Sequence, residues 1–321
     1  MNKFHSFLAP VIREYIFYRK ASDHWNNSYE MGLFLFDRYC LREYADAGKL
    51  SQEMADGWCR KRSTENNNSC RTRVGVVIGF IRYMKQRGKT DIAIPAIPRK
   101  QPGTYIPHAF TSEELKNFFQ ACDNISNRNT PEHRTRKITV PVFFRLLYSS
   151  GIRTVEARLL HVCDVDLKTG ILNIRYSKGN NQHFIVLHDT MLELMREYDT
   201  AISRIYPNRT YFFPARNNKH HICKWVHQNF RKLWDEKNTS YATAYQLRHH
   251  YAIENINRWM SKGLDFHAKL LYLSKSMGHC NIEGTKYYYS LVPNLADILI
   301  EKTGDSFNNI IPEVKQDETI E

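Results

Sequence analysis

The feature that most limits what this chain can fold into is a proline-rich break about a third of the way along it. The stretch Ile94-Pro95-Ala96-Ile97-Pro98-Arg99-Lys100-Gln101-Pro102-Gly103, with Pro107 beyond, cannot continue a helix. Proline lacks the N–H donor, and its ring collides with the preceding turn. Helical patterns stand on both sides, so the break predicts two domains joined by a semi-extended linker. The expected division is a helical domain over residues 1–90, a linker over 91–109, a second domain over 110–302 and an acidic tail over 303–321. A length of 321 residues accommodates two cores.

The first domain reads as four helices. Phe7, Leu8, Val11, Ile12, Tyr15 and Ile16 recur at helical spacing, as do Leu33, Phe34, Phe36, Cys40 and Leu41. Ser51 is a plausible N-cap for a third helix. A fourth spans about 71–87 and stops at Gly88, with Val74, Val77, Ile78, Ile81 and Met84 on its apolar face. Beyond the break, Thr111-Ser112-Glu113-Glu114 forms a capping box. Ile171–Tyr176 alternates apolar and polar, Lys178-Gly179-Asn180-Asn181 supplies turn residues, and Phe184–Leu187 returns as a β-rich segment, which predicts a β-hairpin with Lys178 near its tip. Further helices are expected at 189–205, 221–235, 245–258 and 292–301. The fold class is therefore mainly α with a small β-hairpin, an α+β arrangement.

The formal net charge is +13 and the pI about 9.3, which favours a polyanionic partner, most simply nucleic acid. The cationic candidates for DNA contact are Arg60, Lys61, Arg62, Arg71, Arg73, Arg82, Lys85, Arg99 and Lys100. Seven scattered cysteines, odd in number and without a CxxC pair, argue for reduced thiols. No stretch approaches the roughly 20 apolar residues of a membrane span. The N-terminus lacks the apolar run of a signal peptide. A cytoplasmic location is expected, with no membrane partner.

Four chemistry-bearing pieces stand out. Arg153 follows Ser150-Gly151-Ile152 and would open a helix, with Glu156 one turn on. Its guanidinium can bind two phosphate oxygens at once, although an Arg153–Glu156 surface pair would look the same in sequence. Tyr245-Gln246-Leu247-Arg248-His249 puts Tyr245 and Arg248 three apart, on one helical face. His279 follows Gly278, and Tyr288 comes nine residues later, flanked by Tyr287 and Tyr289. A tyrosine with a pKa near 10 attacks poorly at neutral pH unless a base and charge neutralisation assist it. A separate group, His220, His221, Cys223 and His227, fits no zinc spacing and lies on an amphipathic pattern with Trp225, Val226 and Phe230. No metal is expected.

This set resembles the tyrosine recombinase family of phage integrases, Xer recombinases and Cre. The first arginine box is similar to Ser150-Gly151-Ile152-Arg153-Thr154-Val155-Glu156-Ala157, and the hairpin lysine to Lys178. The second arginine matches Arg248 in Gln246-Leu247-Arg248-His249, the late histidine His279, and the nucleophile Tyr288. Tyr272–His279 resembles the transposon-borne branch more than Xer. The resemblance covers nearly the whole chain.

It implies a helical core-binding domain and a catalytic domain closing as a C-shaped clamp on double-stranded DNA. It also implies a homotetramer on two sites, with accessory recombination factors as further partners. Arg153 and Arg248 would hold the scissile phosphate, Lys178 would protonate the departing 5′-oxygen, Glu156 would orient Arg153 or the phosphate network, His279 and Tyr245 would add hydrogen bonds to the non-bridging oxygens or the nucleophile, and Tyr288 would attack. No cofactor, ATP or metal is implied. The helix expected at 292–301 would dock on a neighbouring subunit.

Two departures stand out. Tyr245 occupies a place where the family usually has histidine, and the interval from Arg248 to His279 is long. The extra residues are expected around Trp259–Leu271, as helix or loop. The reading is a site-specific recombinase for integration or excision of a mobile element. A type IB topoisomerase-like enzyme, or a catalytically idle DNA-binding protein, is the alternative.

Overall fold

The structure is a computed structural model that describes residues 3–22, 25, 27–101, 106–126, 130–177, 182–260, 266–279, 281–286 and 288. The chain divides into two compact units, residues 1–105 and 106–321.

The first unit contains α1 (Ala9–Ala21), α2 (Asn27–Glu43), α3 (Gln52–Cys59) and α4 (Asn67–Gln86). Ser51 caps α3 by accepting from the Met54 N–H. Asn66 caps α4 in the same way, so that helix starts a turn earlier than the apolar pattern indicates. All five expected apolar positions of α4 are buried, and so are Val76, Phe80 and Tyr83. Burial on more than one face makes α4 the central helix of this core.

The segment expected to be a linker is fastened to this unit over residues 92–101. Lys85 Nζ donates to the Ile92 carbonyl at 3.2 Å. Gln52 accepts from the Ala93 N–H at 2.8 Å, and Arg71 donates to the Pro98 carbonyl at 2.5 Å. Asn68 accepts from the Gln101 N–H and donates to its carbonyl. A proline-rich strand has too few N–H groups to join a ladder, so side chains of α3 and α4 satisfy its backbone instead.

The second unit contains α5 (Ser112–Asp123), α6 (Pro131–Ser150), α7 (Thr154–Leu159), β1 (Val165–Asp166), β2 (Ile171–Ile174) and β3 (His183–Val186). Next come α8 (Asp189–Ser203), α9 (Cys223–Trp234), α10 (Gln246–Met260), α11 (Phe266–Ser276) and α12 (Glu283–Lys286). Thr111 and Glu114 form the expected capping box in full. The hairpin strands pair antiparallel, with Ile171 opposite Val186 and Ile174 opposite His183. β1 extends them to a three-stranded antiparallel sheet in the order β1-β2-β3. At two residues, β1 is too short to leave a periodic trace.

Buried Val140, Phe143, Phe144, Leu146 and Leu147 make α6 the spine of the second core. α6 ends at Gly151 in the left-handed region, φ 64°. A Cβ there would lie 2.3 Å from the Tyr251 ring, so only glycine allows α6 and α10 to approach this closely. That turn sets the position of Arg153. Of the Trp259–Leu271 stretch, α10 ends at Met260 and α11 begins at Phe266, with 261–265 outside the described residues. The expected 292–301 helix, the acidic tail, Lys178, Tyr287 and Tyr289 lie outside the described residues.

Candidate active site

Arg153 is the N-cap residue of α7, and Glu156 reaches back to it. The Glu156 carboxylate accepts from the Arg153 backbone N–H at 2.9 Å and from its Nη1 at 2.5 Å. It also accepts from the Ser177 hydroxyl at 2.7 Å. Arg153 Nη2 donates to the Gly278 carbonyl at 2.8 Å, tying the start of α7 to the end of α11. The Glu156 side chain is fully buried, so this is no surface pair. Burial pushes the carboxyl up. Hydrogen bonds from Arg153 and Ser177, and the guanidinium charge, outweigh that and leave it below the usual carboxylate range.

Arg248, in the first turn of α10, is 2% exposed. Its Nη1 donates to the Gly151 carbonyl at 2.5 Å and its Nη2 to the Met277 carbonyl at 2.6 Å. Nη2 also lies 3.0 Å from His279 Nε2. Its Nε has no hydrogen-bond partner, and no carboxylate pairs with it among the described residues. Burial lowers its pKa from the ordinary arginine value, and the nearby positive charge of Arg153 lowers it further. Two guanidiniums therefore share one site, only one of them neutralised.

His279 follows Gly278, whose φ is 63°. A Cβ at Gly278 would meet the His183 ring at 2.5 Å and Arg153 Nη1 at 3.0 Å. Burial and then the charges of Arg248 and Arg153 push the His279 imidazole down to about 4. It is neutral at physiological pH. Tyr288 is 3% exposed and belongs to a small apolar cluster with Ala252, Ile256, Leu273 and Met277. Its ring stacks with His279 at 6.3 Å between centroids and lies 5.5 Å from that of His249.

Arg153, Glu156, Arg248, His279 and Tyr288, drawn from α7, α10 and the segment after α11, therefore meet in one place. Tyr245 stands near enough to Arg248 for its phenol to act on the guanidinium's charge. It precedes α10, its carbonyl accepts the Arg248 N–H, and its ring is 46% exposed beside His249. Three residues without a sequence signal join the site. Ser177 bridges Arg153 and Glu156, His183 lies 3.9 Å from the Glu156 carboxylate, and Thr285 contacts His279. Adjacency to Lys178 was the only hint for Ser177.

The cationic candidates of the first unit separate. Arg60, Lys61, Arg62, Arg82, Lys85, Arg99 and Lys100 are exposed. Arg73 is corrected to a scaffold residue: it pairs with Glu65 at 2.5 Å and donates to the Trp58 and Arg60 carbonyls. Arg71 is engaged by the Pro98 carbonyl. Arg38 and Arg42, unmarked by the sequence reading, line a hollow of about 580 Å³ with Phe34, Tyr39, Trp58 and Arg62. Among the described residues, the His220–His227 group does not converge as metal ligands. His161, Cys163 and Asp164 do converge, but Arg175 already holds Asp164 at 2.5 Å. No described helix is long and apolar enough to cross a membrane.

Comparison with known proteins finds integrases and recombinases. The chain is 25% identical over 303 residues to a protein of Sinorhizobium fredii named "Putative integrase/recombinase y4rB", covering 90% of this chain and 95% of that one. It is 22% identical over 287 residues to tyrosine recombinase XerA of Pyrococcus furiosus, covering 87% and 89%. Among solved structures it is similar to XerH site-specific recombinase bound to palindromic difH substrate in a post-cleavage complex. That match has TM-score 0.61 and 15% identity, over 86% of this chain and 78% of that one. A lambda integrase dimer bound to a COC′ core site matches with TM-score 0.58 and 15% identity, over 88% and 76%. At such identities the structural likeness is one of fold. The model of the phage integrase family matches residues 108–294, more than half of the chain and all of the site just described, and the chain belongs to that family.

Proposed function

We propose that this chain is a site-specific tyrosine recombinase that cleaves and rejoins double-stranded DNA through Tyr288. The observation that carries the reading is Arg248: a guanidinium 2% exposed, with no carboxylate partner among the described residues, beside a second arginine and a tyrosine. A buried cation held only by neutral groups is costly unless an anion completes it. A phosphodiester supplies one negative charge and two non-bridging oxygens for two forked donors.

In this reading Arg153 and Arg248 hold the scissile phosphate and stabilise the charge of the five-coordinate state. Glu156 fixes Arg153 without neutralising Arg248. The Tyr288 oxygen bonds to phosphorus as the bond to the 5′-oxygen breaks. The phenolic proton passes to His279, and the departing oxygen takes a proton from Lys178, assigned by its place between Ser177 and β3. The product is a 3′-phosphotyrosyl bond and a 5′-hydroxyl. Reversal rejoins a strand, so bond energy is conserved and ATP is not required. Tyr245, at the rim, donates a hydrogen bond to a non-bridging oxygen.

The first unit would follow the DNA backbone with Arg60, Lys61 and Arg62, joined by Arg38 and Arg42. Arg82, Lys85, Arg99 and Lys100 would add contacts whose strength falls steeply with salt. Assembly as a homotetramer on two sites, with accessory factors, would move a mobile element in or out.

Nicked suicide duplexes taken from DNA adjoining the gene test this reading. Wild-type protein should be trapped as a covalent adduct, and Tyr288→Phe should bind the same duplexes without adduct. Adducts formed by Tyr288→Phe at the wild-type level would overturn the assignment. A two-site assay then separates strand exchange from relaxation of supercoils.

A further inference from the structure

We propose that Thr285 is a positioning residue that accepts the Nδ1–H of His279 and so holds the ring with the Nε2 lone pair facing Arg248. The inference rests on the site reading above and concerns a residue that touches neither phosphate nor nucleophile in that reading.

The geometry leaves one assignment of hydrogens. Arg248 Nη2 lies 3.0 Å from His279 Nε2, and a guanidinium can donate but not accept. Nε2 must therefore be the accepting nitrogen. A neutral imidazole carries a single ring hydrogen, which must then sit on Nδ1. Nδ1 lies 2.6 Å from Thr285 Oγ1, the distance of a good hydrogen bond. The threonine hydroxyl is fully buried, so water cannot take its place. The bond made by one ring nitrogen decides the protonation of the other.

The local fold is built to present this hydroxyl. Thr285 lies in the single turn of α12, and its N–H donates to the Ile282 carbonyl at 2.9 Å. Asn281 Oδ1 accepts from the Gly284 N–H at 3.2 Å, holding the start of that turn. The Gly284 Cα faces the imidazole, where an added Cβ would lie 3.5 Å from its Cγ. The turn thus carries the threonine that holds the ring, and Tyr288 follows three residues later in the sequence.

The consequence is chemical. When phosphate draws the Arg248 guanidinium to itself, the lone pair on Nε2 is released in a ring stacked on Tyr288. That nitrogen can then take the phenolic proton. The resulting imidazolium keeps its Nδ1–H on Thr285, and the same proton returns to the tyrosine oxygen on rejoining. With the opposite tautomer, Nε2–H would point at a guanidinium and could accept nothing.

The test uses the full chain with Thr285→Val, which keeps the shape but removes the acceptor, and Thr285→Ser, which restores it. Nitrogen-15 NMR of labelled histidine should show His279 protonated at Nδ1 in wild-type and Thr285→Ser. Thr285→Val should leave the Nδ1–H without its acceptor, shifting and broadening the His279 nitrogen signals as the ring loses its fixed orientation. Adduct formation by Thr285→Val should fall about 10- to 100-fold, the usual cost of losing an orienting partner, with an altered pH profile. Thr285→Ser should stay near wild-type. His279 protonated at Nε2 in wild-type, or Thr285→Val cleaving at the wild-type rate at every pH, would overturn the proposal. If even wild-type forms no adduct, the recombinase reading fails, while the NMR result still decides the Thr285–His279 bond on its own.

Discussion

Each unit buries an arginine, and the two are treated in opposite ways. In the first unit, Arg73 is closed off by Glu65 at 2.5 Å and by the Trp58 and Arg60 carbonyls. Glu65 is held down to about 2, chiefly by its hydrogen bond from Arg73, so the pair is charged and complete over the physiological range. In the second unit, Arg248 is more deeply buried, yet its partners are two carbonyls and a neutral imidazole. The first arrangement is scaffold, a cation whose charge is already answered. The second is unfinished, and a site that stores an unanswered cation beside Arg153 is organised around an anion it does not contain. Burial alone does not separate the two roles; the charge of the partner does.

The sharpest way to break this contrast is to remove each cation in turn. Arg248→Met should lower adduct formation by about 10³-fold, the scale for losing a preorganised donor to developing charge. Its cost in stability should be small, because deleting an unneutralised buried charge offsets the loss of two carbonyl partners. Arg73→Met should do the reverse. It strands the Glu65 carboxylate in a site where both side chains are about one-tenth exposed. A loss of roughly 2–4 kcal/mol is expected for breaking such a pair, with adduct formation by the folded fraction unchanged. Thermal melting and suicide-substrate trapping on the same preparations read both effects. If Arg248→Met melts below Arg73→Met, then Arg248 is scaffold too.

The same contrast explains what could be read without coordinates. Arg153, Arg248, His279 and Tyr288 were legible because each sits in a short local signature with fixed spacing. The helices capped by Ser51 and Thr111 were legible for the same reason, since capping is a contact between near neighbours. The role of Arg73 is not legible in sequence, because a count of cations does not distinguish paired from unpaired charge. Its partner Glu65 lies eight residues away, across the turn before α4, at no helical spacing. His183 and Thr285 leave no trace, and Ser177 only its adjacency to Lys178, because their roles exist only through contacts made by the fold. The bond from Arg153 to the Gly278 carbonyl spans 125 residues and uses a backbone atom that any amino acid would supply.

The smallest expected effect is also the most selective, because the two units should respond to acid in different windows. In the second unit His221, His249 and His279 are each pushed down to about 4, first by burial and then by neighbouring arginines. Unfolded, each would titrate near 6.5. The unfolded state therefore binds more protons between pH 6.5 and 4, and stability present above pH 6.5 is lost as the pH falls through that range. Glu156, also depressed, adds its loss only below its unfolded value near 4.5. In the first unit the described histidine, His5, is exposed, and Glu65 loses its contribution only as the pH falls from about 4.5 towards 2. At pH 5, then, amides of α10 should exchange faster relative to pH 7, after correction for intrinsic rates, while those of α4 should hold their protection. Salt should weaken the difference little, because the groups responsible are buried. Replacing His249 by Asn, which cannot take up a proton, should narrow the gap between the units. Earlier loss of protection in α4 than in α10 would show that acid acts on the paired charge before the buried imidazoles, and the distinction drawn between the two regions would fail at its weakest point.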